Sequence, residues 1–467
     1  MVIKFLGASQ QVTGSCYFLE VGGLKLLVDC GLFQERDFLS RNWEPFPVPP
    51  EEIDFVLLTH VHVDHCGLLP KLVREGFSGK ILATPPTVEM IPIVLEDSAS
   101  IQEEDAAFKK KRHRKEGRKG PYPEIPLYTV EDAFEVFPLL HALPYKKNYS
   151  LNRMVSVCFF DAGHILGSSM IEITIHNGNN KKKIIFSGDI GQWDKPLVKD
   201  PTRFEHADYI VMESTYGNRN HVEESAEIDD LLADIINETI KVQGNVVIPT
   251  FAIERAQELM FHLSGLVRND LIPYMMMFLD SPMAVDITDV FTRHINSLDK
   301  ESKQLFARGY SPFRFPGMRL VRTVEESKAI NSIKGSCLVM AGSGMCTGGR
   351  IKHHLKHNIT RSESTILFVG YQVQGTLGRG IVDGTEEVRI HGQMFPVKAR
   401  IHQIEGFSAH ADKDDLLDWL GNLKSPPSKI FLTHGEKEAM LALSGHIKNK
   451  YNWTVEIPDY LEEIDLN

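Results

Sequence analysis

The stretch THVHVDHCG, Thr59 to Gly67, closes the apolar run DFVLLTH (54–60) and sets three histidines and an aspartate into the six positions from His60 to His65. Side chains alternate along an extended strand, so His60 and His62 point to one side. The chain then turns, and Asp64 and His65 open the helix predicted over HCGLLPKLVREG (65–76). Imidazole nitrogen and carboxylate oxygen are the donors taken by zinc and similar borderline metals, and two pairs on either side of a turn can serve two adjacent ions. Each residue alone has a plainer role, Asp64 as a helix cap or a histidine as a satisfied rim residue. All four together in H-x-H-x-D-H order after a strand leave that plainer reading little room.

Working outward, the remaining ligands belong at the ends of other strands. His164 in DAGHILGS, Asp189 in FSGDIG and His434 in FLTHGE each follow an apolar β-type run. Asp29 in LLVDCG has the same setting beside the N-terminal strands, and its expected task is to orient a ligand imidazole. Read singly, Asp29 or Asp189 before a turn is an ordinary turn residue. Their weight comes from the set.

At 467 residues the chain is too long for one ordinary core, which predicts two domains. With 42% hydrophobic and 24% charged residues it has the composition of a globular enzyme. No apolar run reaches membrane-span length, and Lys4 interrupts a start too short for a secretory signal, so no membrane partner and a cytoplasmic location are expected. Six cysteines at 16, 30, 66, 158, 337 and 346 form no C-x-x-C pair, which excludes a zinc ribbon and a compact disulfide framework. The net charge of −11 disfavours blanket coating of nucleic acid, although KKKRHRKEGRK (109–119) is a local positive track. Its plain reading is a solvated helix end or loop.

Strand-type runs recur at VSVCFFDAGH (155–164), KKIIFSGDIG (182–191) and ADYIVMESTYG (207–217), each ending on a polar residue and a turn. Those polar residues therefore gather at one rim of a sheet. From about residue 220 the rhythm becomes helix, strand, helix, the mark of a parallel α/β sheet. After Pro396 the runs KARIHQIEGFSAH and KIFLTHGE resemble the first part again. One domain inserted into another is expected, with 1–215 and 398–467 forming the outer domain and 216–397 the insertion.

With those residues in place, HVHVDH together with Asp29, His164 and Asp189 resembles the metallo-β-lactamase fold, an αββα sandwich. ESTYG around Glu213, GFSAHAD around His410 and THGE around His434 are similar to the β-CASP nucleases. Within them they resemble the RNA-processing branch that includes the endonuclease subunit of the cleavage and polyadenylation factor and its shorter prokaryotic relatives. The resemblance implies an inserted α/β domain of mainly parallel sheet and two zinc ions per chain. His60, His62 and His164 hold one ion in that scheme, Asp64, His65 and His434 the other, and Asp189 bridges them. Glu213 and His410 act beside the metals. His434 stands where the DNA-acting branch lacks a histidine, so single-stranded RNA is the implied partner. Homodimers are common among such relatives. One departure is Glu254, followed by Arg255, where the family often has glycine after FAx, which puts close backbone approach to RNA there in question.

Two such metals can lower the pKa of a shared water towards about 7 and clamp a phosphate oxygen. The expected reaction is in-line attack on phosphorus, leaving 5′-phosphate and 3′-hydroxyl ends by endonucleolytic cutting, with 5′-to-3′ exonuclease activity alongside. His410 is the candidate proton donor to the leaving 3′ oxygen, with Glu213 on its other nitrogen. Its plainer role is a residue at a helix start. Asp29 and Asp64 complete the expected catalytic set. For the RNA, GSGMCTGGR (342–350) offers Gly344 and Arg350 between a strand and a helix, where backbone N–H groups can receive a phosphate. Ser281 in LDSPMA and Arg379 in GTLGRG are further candidates, the first equally a helix cap. A small-molecule hydrolase, a thioesterase or lactonase, would use His60 to Asp189 but not His410, Glu213 or so long an insertion. A non-catalytic RNA-processing scaffold would tolerate lost ligands, and none is missing.

Overall fold

The computed structural model describes residues 1–466 apart from Arg118, Asn179, 222–226 and Lys334. Period two organises the first unit. Along strands Tyr209–Glu213 and Lys429–Thr433, Tyr209, Val211 and Phe431 join one buried cluster, while Ile210, Met212, Ile430 and Leu432 join another. The first cluster, with Phe5, Tyr17, Phe159 and Phe186, fills the seam between two sheets. Each ring there contributes about 2 kcal/mol of burial, which holds the sheets face to face. The second cluster packs the outer face of one sheet against helices Lys413–Leu420 and Lys437–Tyr451 through Leu416, Leu420, Met440 and Leu443.

Among the described residues both sheets have seven strands. The first runs, in spatial order, Glu463–Asp465, Val2–Phe5, Tyr17–Val21, Leu24–Val28, Phe55–Leu57, Lys80–Ala83 and Leu140–Ala142. The second runs Val455–Glu456, Lys429–Thr433, Tyr209–Glu213, Asn180–Phe186, Ser169–Asn177, Val155–Asp161 and Tyr149–Ser150. Asp29, His60, His164, Asp189, Glu213 and His434 all lie at or just beyond the C-terminal ends of these strands. This is the αββα sandwich.

The second unit is built on a six-stranded sheet whose pairings are all parallel, in the order Met318–Val321, Met276–Asp280, Cys337–Ala341, Val246–Pro249, Thr365–Val369, Arg400–Ile404. Its central strands are buried on both faces, hence their unbroken apolar runs.

The chain divides into Met1–Lys195, Lys199–Asn220 and His410–Asn467 against Pro196–Val198 and His221–Ala409. The boundaries expected at 215/216 and 397/398 therefore lie at 220/221 and 409/410. The larger shift has a plain cause. KARIHQI does not return to the sandwich, because Arg400–Ile404 pairs in parallel with Thr365–Val369 as the edge strand of the inserted sheet.

Two local features bear on the expectations. Helix Pro85–Glu116 runs through most of the basic track and stops where Gly117 turns left-handed at φ 62°. Glu254 has φ 65° and ψ −57°, with Arg255 N–H bonded to Ile253 O at 2.8 Å, a γ-turn that glycine adopts without steric cost. A glutamate holds that conformation here. No helix of the described residues is long and apolar enough to cross a membrane.

Candidate metal centre

The strand ending at Val28 delivers Asp29 in a left-handed conformation, φ 59°, with its N–H bonded to Leu57 O. Gly31 permits that crossing, since a Cβ there would lie 1.7 Å from the Asp64 carbonyl oxygen. Asp29, 1% exposed, accepts from Thr59 N–H and Thr59 Oγ1 at 2.8 Å each, and its Oδ2 lies 2.8 Å from His65 Nδ1. Thr59 Oγ1 is also 3.0 Å from His60 Nδ1. One buried carboxylate thus fixes the Nδ1–H tautomer of His65 directly and that of His60 through a hydroxyl, turning both Nε2 lone pairs inward.

Four donor atoms meet there. His60 Nε2 and His62 Nδ1 are 3.0 Å apart, His62 Nδ1 and His164 Nε2 3.2 Å, and Asp189 Oδ2 is 3.4 Å from His60 Nε2 and 3.5 Å from His164 Nε2. Donors on a tetrahedral metal with bonds of about 2.0–2.1 Å stand about 3.3 Å apart. Imidazole lone pairs so close repel unless a cation lies between them, so the donor set fits a metal ion. A second set follows. His65 Nε2 is 3.3 Å from His434 Nε2, which is 3.4 Å from Asp64 Oδ2. Asp189 Oδ1 lies 3.3 Å from His65 Nε2, is buried and, among the described residues, accepts no hydrogen bond. Asp189 therefore turns one oxygen to each set.

Burial, reinforced by the charge of His65, pushes His60 down to about 3. Burial and His410 likewise hold His164 well below the usual imidazole value, and burial lowers His62. These three rings stay neutral and keep their lone pairs. For Asp189 burial acts upward, but His434, His65 and His60 outweigh it and hold the carboxyl well below its ordinary value. His65 and His434 are raised, burial opposing and Asp189 prevailing. The centre thus calls for positive charge.

Beside it, His410 Nδ1 lies 3.2 and 3.3 Å from the Glu213 oxygens. Glu213, 1% exposed, is fixed by Ile190 N–H at 2.5 Å. Burial disfavours charge on His410, yet Glu213 prevails and the imidazole rises to about 9. Its ring centroid lies 4.5 Å from that of His164. Gly191 lets the Asp189 and His164 loops close together, since a Cβ there would lie 1.8 Å from Gly163 O. All seven expected ligands, Asp29, Glu213 and His410 are brought together.

The expected RNA contacts sit in the inserted unit, where each also has neighbours within that unit. Ser281 Oγ caps helix Pro282–Arg293 by accepting from Ala284 N–H at 3.3 Å. Arg350 donates to the buried Asp280 Oδ1 at 2.7 Å and to Arg322 O at 2.7 Å. Arg379 grips Asp383 at 2.8 Å, and Gly344 gives space to the Phe251 ring, 2.7 Å from where its Cβ would be. Two residues escaped the sequence reading, Thr59 and Thr215, whose Oγ1 lies 3.1 Å from His434 Nδ1. The signal was adjacency, since Thr59 precedes His60 and Thr215 follows Glu213 by two.

A sandwich with such a donor set at its strand ends defines a metal-dependent hydrolase. Family comparison agrees, matching the metallo-beta-lactamase superfamily over residues 10–144, the Beta-Casp domain over 256–381 and the Zn-dependent metallo-hydrolase RNA specificity domain over 394–458. The chain is 39% identical to the ribonuclease TTHA0252 of Thermus thermophilus over 95% of each chain. It is 32% identical to the transcription termination factor FttA of Thermococcus kodakarensis, covering 99% of this chain and 71% of that protein. The chain belongs to the β-CASP family of the metallo-β-lactamase superfamily. A protein of unknown function from Enterococcus faecalis V583 shares the fold at TM-score 0.55 and 11% identity, covering 100% of this chain and 99% of that one.

Proposed function

We propose that the chain is a zinc-dependent ribonuclease that hydrolyses single-stranded RNA to 5′-phosphate and 3′-hydroxyl ends. His60, His62 and His164 would hold one zinc, Asp64, His65 and His434 a second, with Asp189 between them. The observation that carries this reading is the split of Asp189, Oδ2 facing His60 and His164 and Oδ1 facing His65. When bound, the two ions supply charge neutralisation for the phosphodiester and a lowered pKa for the attacking water.

The chain's own residues do the rest. Asp29 and Thr59 hold the imidazoles in their ligating tautomer. Glu213, itself fixed by Ile190 N–H, holds His410 Nδ1 and favours the imidazolium. His410 then delivers a proton from Nε2 to the departing 3′ oxygen, a role needed for phosphodiester cleavage, where the alkoxide is a poor leaving group. The name of the Thermus relative supports RNA as substrate. Endonucleolytic cutting with 5′-to-3′ exonuclease activity alongside is the proposed mode.

Zinc-loaded protein incubated with end-labelled RNA and with a chromogenic ester tests this, alongside zinc content per chain. Two ions and RNA products with 5′-phosphates are expected. Hydrolysis of the ester alone refutes the ribonuclease reading, and tight RNA binding without cutting by the loaded protein refutes catalysis.

A further inference from the structure

We propose that the cationic tail of helix Pro85–Glu116, from Lys109 to Lys115, docks the phosphate backbone of single-stranded RNA beyond the bond being cut; this rests on the ribonuclease reading. The helix is sharply divided by charge. Pro85 to Phe108 carries six acids, Glu89, Glu96, Asp97, Glu103, Glu104 and Asp105, and no lysine or arginine. The next seven residues carry six cations, Lys109, Lys110, Lys111, Arg112, Arg114 and Lys115, all exposed. Ala106 and His113, seven apart, are the buried positions of this tail, and His113 Nδ1 lies 2.7 Å from Glu124 Oε1. The cations therefore cover the faces turned to solvent.

Ordinary helix chemistry accounts for only part of this. Arg114 and Lys115 sit in the last turn, where they complement the helix dipole. Lys109 to Arg112 lie before it. Among the described residues, Lys109 reaches Asp105 at 3.8 Å, and none of the other five is in an ion pair. The like-charge pairs Lys110 with Arg114 and Lys111 with Lys115 at i,i+4 disfavour the helix. In a chain of net charge −11, such uncompensated density is a surface built for a polyanion. Phe108, 63% exposed with the Arg112 guanidinium 6.0 Å from its ring centre, adds an open aromatic face of the kind on which unpaired bases stack.

The helix also ties this tail to the metal centre. Thr84 Oγ1 and Thr87 Oγ1 donate to Gly167 O at 2.6 and 2.9 Å, in the loop that carries His164. At about 1.5 Å per residue, Lys109 stands about 37 Å along the helix from Thr84. A stacked strand at about 3.4 Å per phosphate covers that distance in about eleven nucleotides. A stacked RNA of about that length touches both places, whereas a stacked 6-nucleotide RNA, about 20 Å long, does not.

The test uses the full chain with Lys109, Lys110, Lys111 and Arg112 all changed to Gln, which keeps helix propensity. Binding of a 20-nucleotide and a 6-nucleotide RNA is read by fluorescence anisotropy in chelator, and KM and kcat in zinc, from about 50 to 200 mM salt. For the 20-mer, affinity is expected to fall at least about tenfold, with the slope of log K against log salt shallower by about 2.8, four contacts at about 0.7 each. KM rises to match and kcat stays unchanged. The 6-mer is unaffected. A matching set with the three lysines changed to Arg should bind as the wild type does. Unchanged slope and affinity for the 20-mer overturn the proposal, as does an equal loss for both RNAs or a preference for anionic lipid vesicles over RNA. If wild-type protein binds the 20-mer through these residues yet cuts no RNA, the surface stands and the ribonuclease reading falls.

Discussion

Replacing Asp29 with Asn isolates the orientation of the ligand imidazoles from ligation itself. Asn keeps the volume and one oxygen but replaces the other oxygen by an amide donor. Asp29 now meets three donors, Thr59 N–H, Thr59 Oγ1 and the Nδ1–H of His65, all at 2.8 Å with no solvent to substitute for a lost bond. At least one must face a donor after the change. A buried donor left unsatisfied costs about 1–3 kcal/mol. If His65 escapes by flipping its tautomer, Nε2 carries the proton and ceases to ligate, so the loss reappears as metal affinity. Loss of such a supporting carboxylate lowers metal affinity by about 10- to 100-fold, or about 1.4–2.7 kcal/mol, in agreement with the hydrogen-bond figure. Zinc titration against a chelator of known affinity should show the step assigned to Asp64, His65 and His434 weakened by that factor, with the His60 step less affected because Thr59 intervenes. Turnover should largely return at saturating zinc. Two unchanged steps would refute the account of Asp29 as the residue that fixes the tautomers, and loss of turnover with zinc fully retained would give it a different task.

His410→Ala should retain zinc and lower kcat by about 10²- to 10⁴-fold, and Glu213→Gln should act in the same direction; unchanged turnover with zinc bound removes His410 from the mechanism. Asp280→Ala leaves Arg350 and His354 without the carboxylate they share at 2.7 and 2.6 Å, and should destabilise the inserted unit by about 3–5 kcal/mol in denaturant unfolding followed by a probe in that unit. An effect below about 1 kcal/mol would show that the network is not what holds Arg350. Zinc at 100 times its Kd should stabilise the sandwich by about 2.7 kcal/mol for each site filled, so chelator should lower its melting temperature; an unchanged melt would mean that the native state binds the ions no better than the unfolded chain.

Much of this centre was legible along the chain because its information is local. Period two aims His60 and His62 together, and the residue after an apolar strand lands at a sheet rim, so His164, Asp189 and His434 could be named one strand at a time. Four side chains in H-x-H-x-D-H order also state their chemistry without help from the fold. What the sequence left open depended on distant partners. Nothing local marks KARIHQI as the edge of the inserted sheet, because strand pairing is a choice among competing edges that only the assembled sheet makes. Nothing local pairs Arg350 with Asp280, 70 residues away, to which it donates. His434 meets His65 across 369 residues, and Asp189 parts its two oxygens between two clusters. The sequence by itself thus determined which groups could bind a metal and which way each left its strand. Only tertiary packing decided their separations, because distances of about 3 Å between atoms hundreds of residues apart are set by the close-packed seam of the sandwich and not by any one segment.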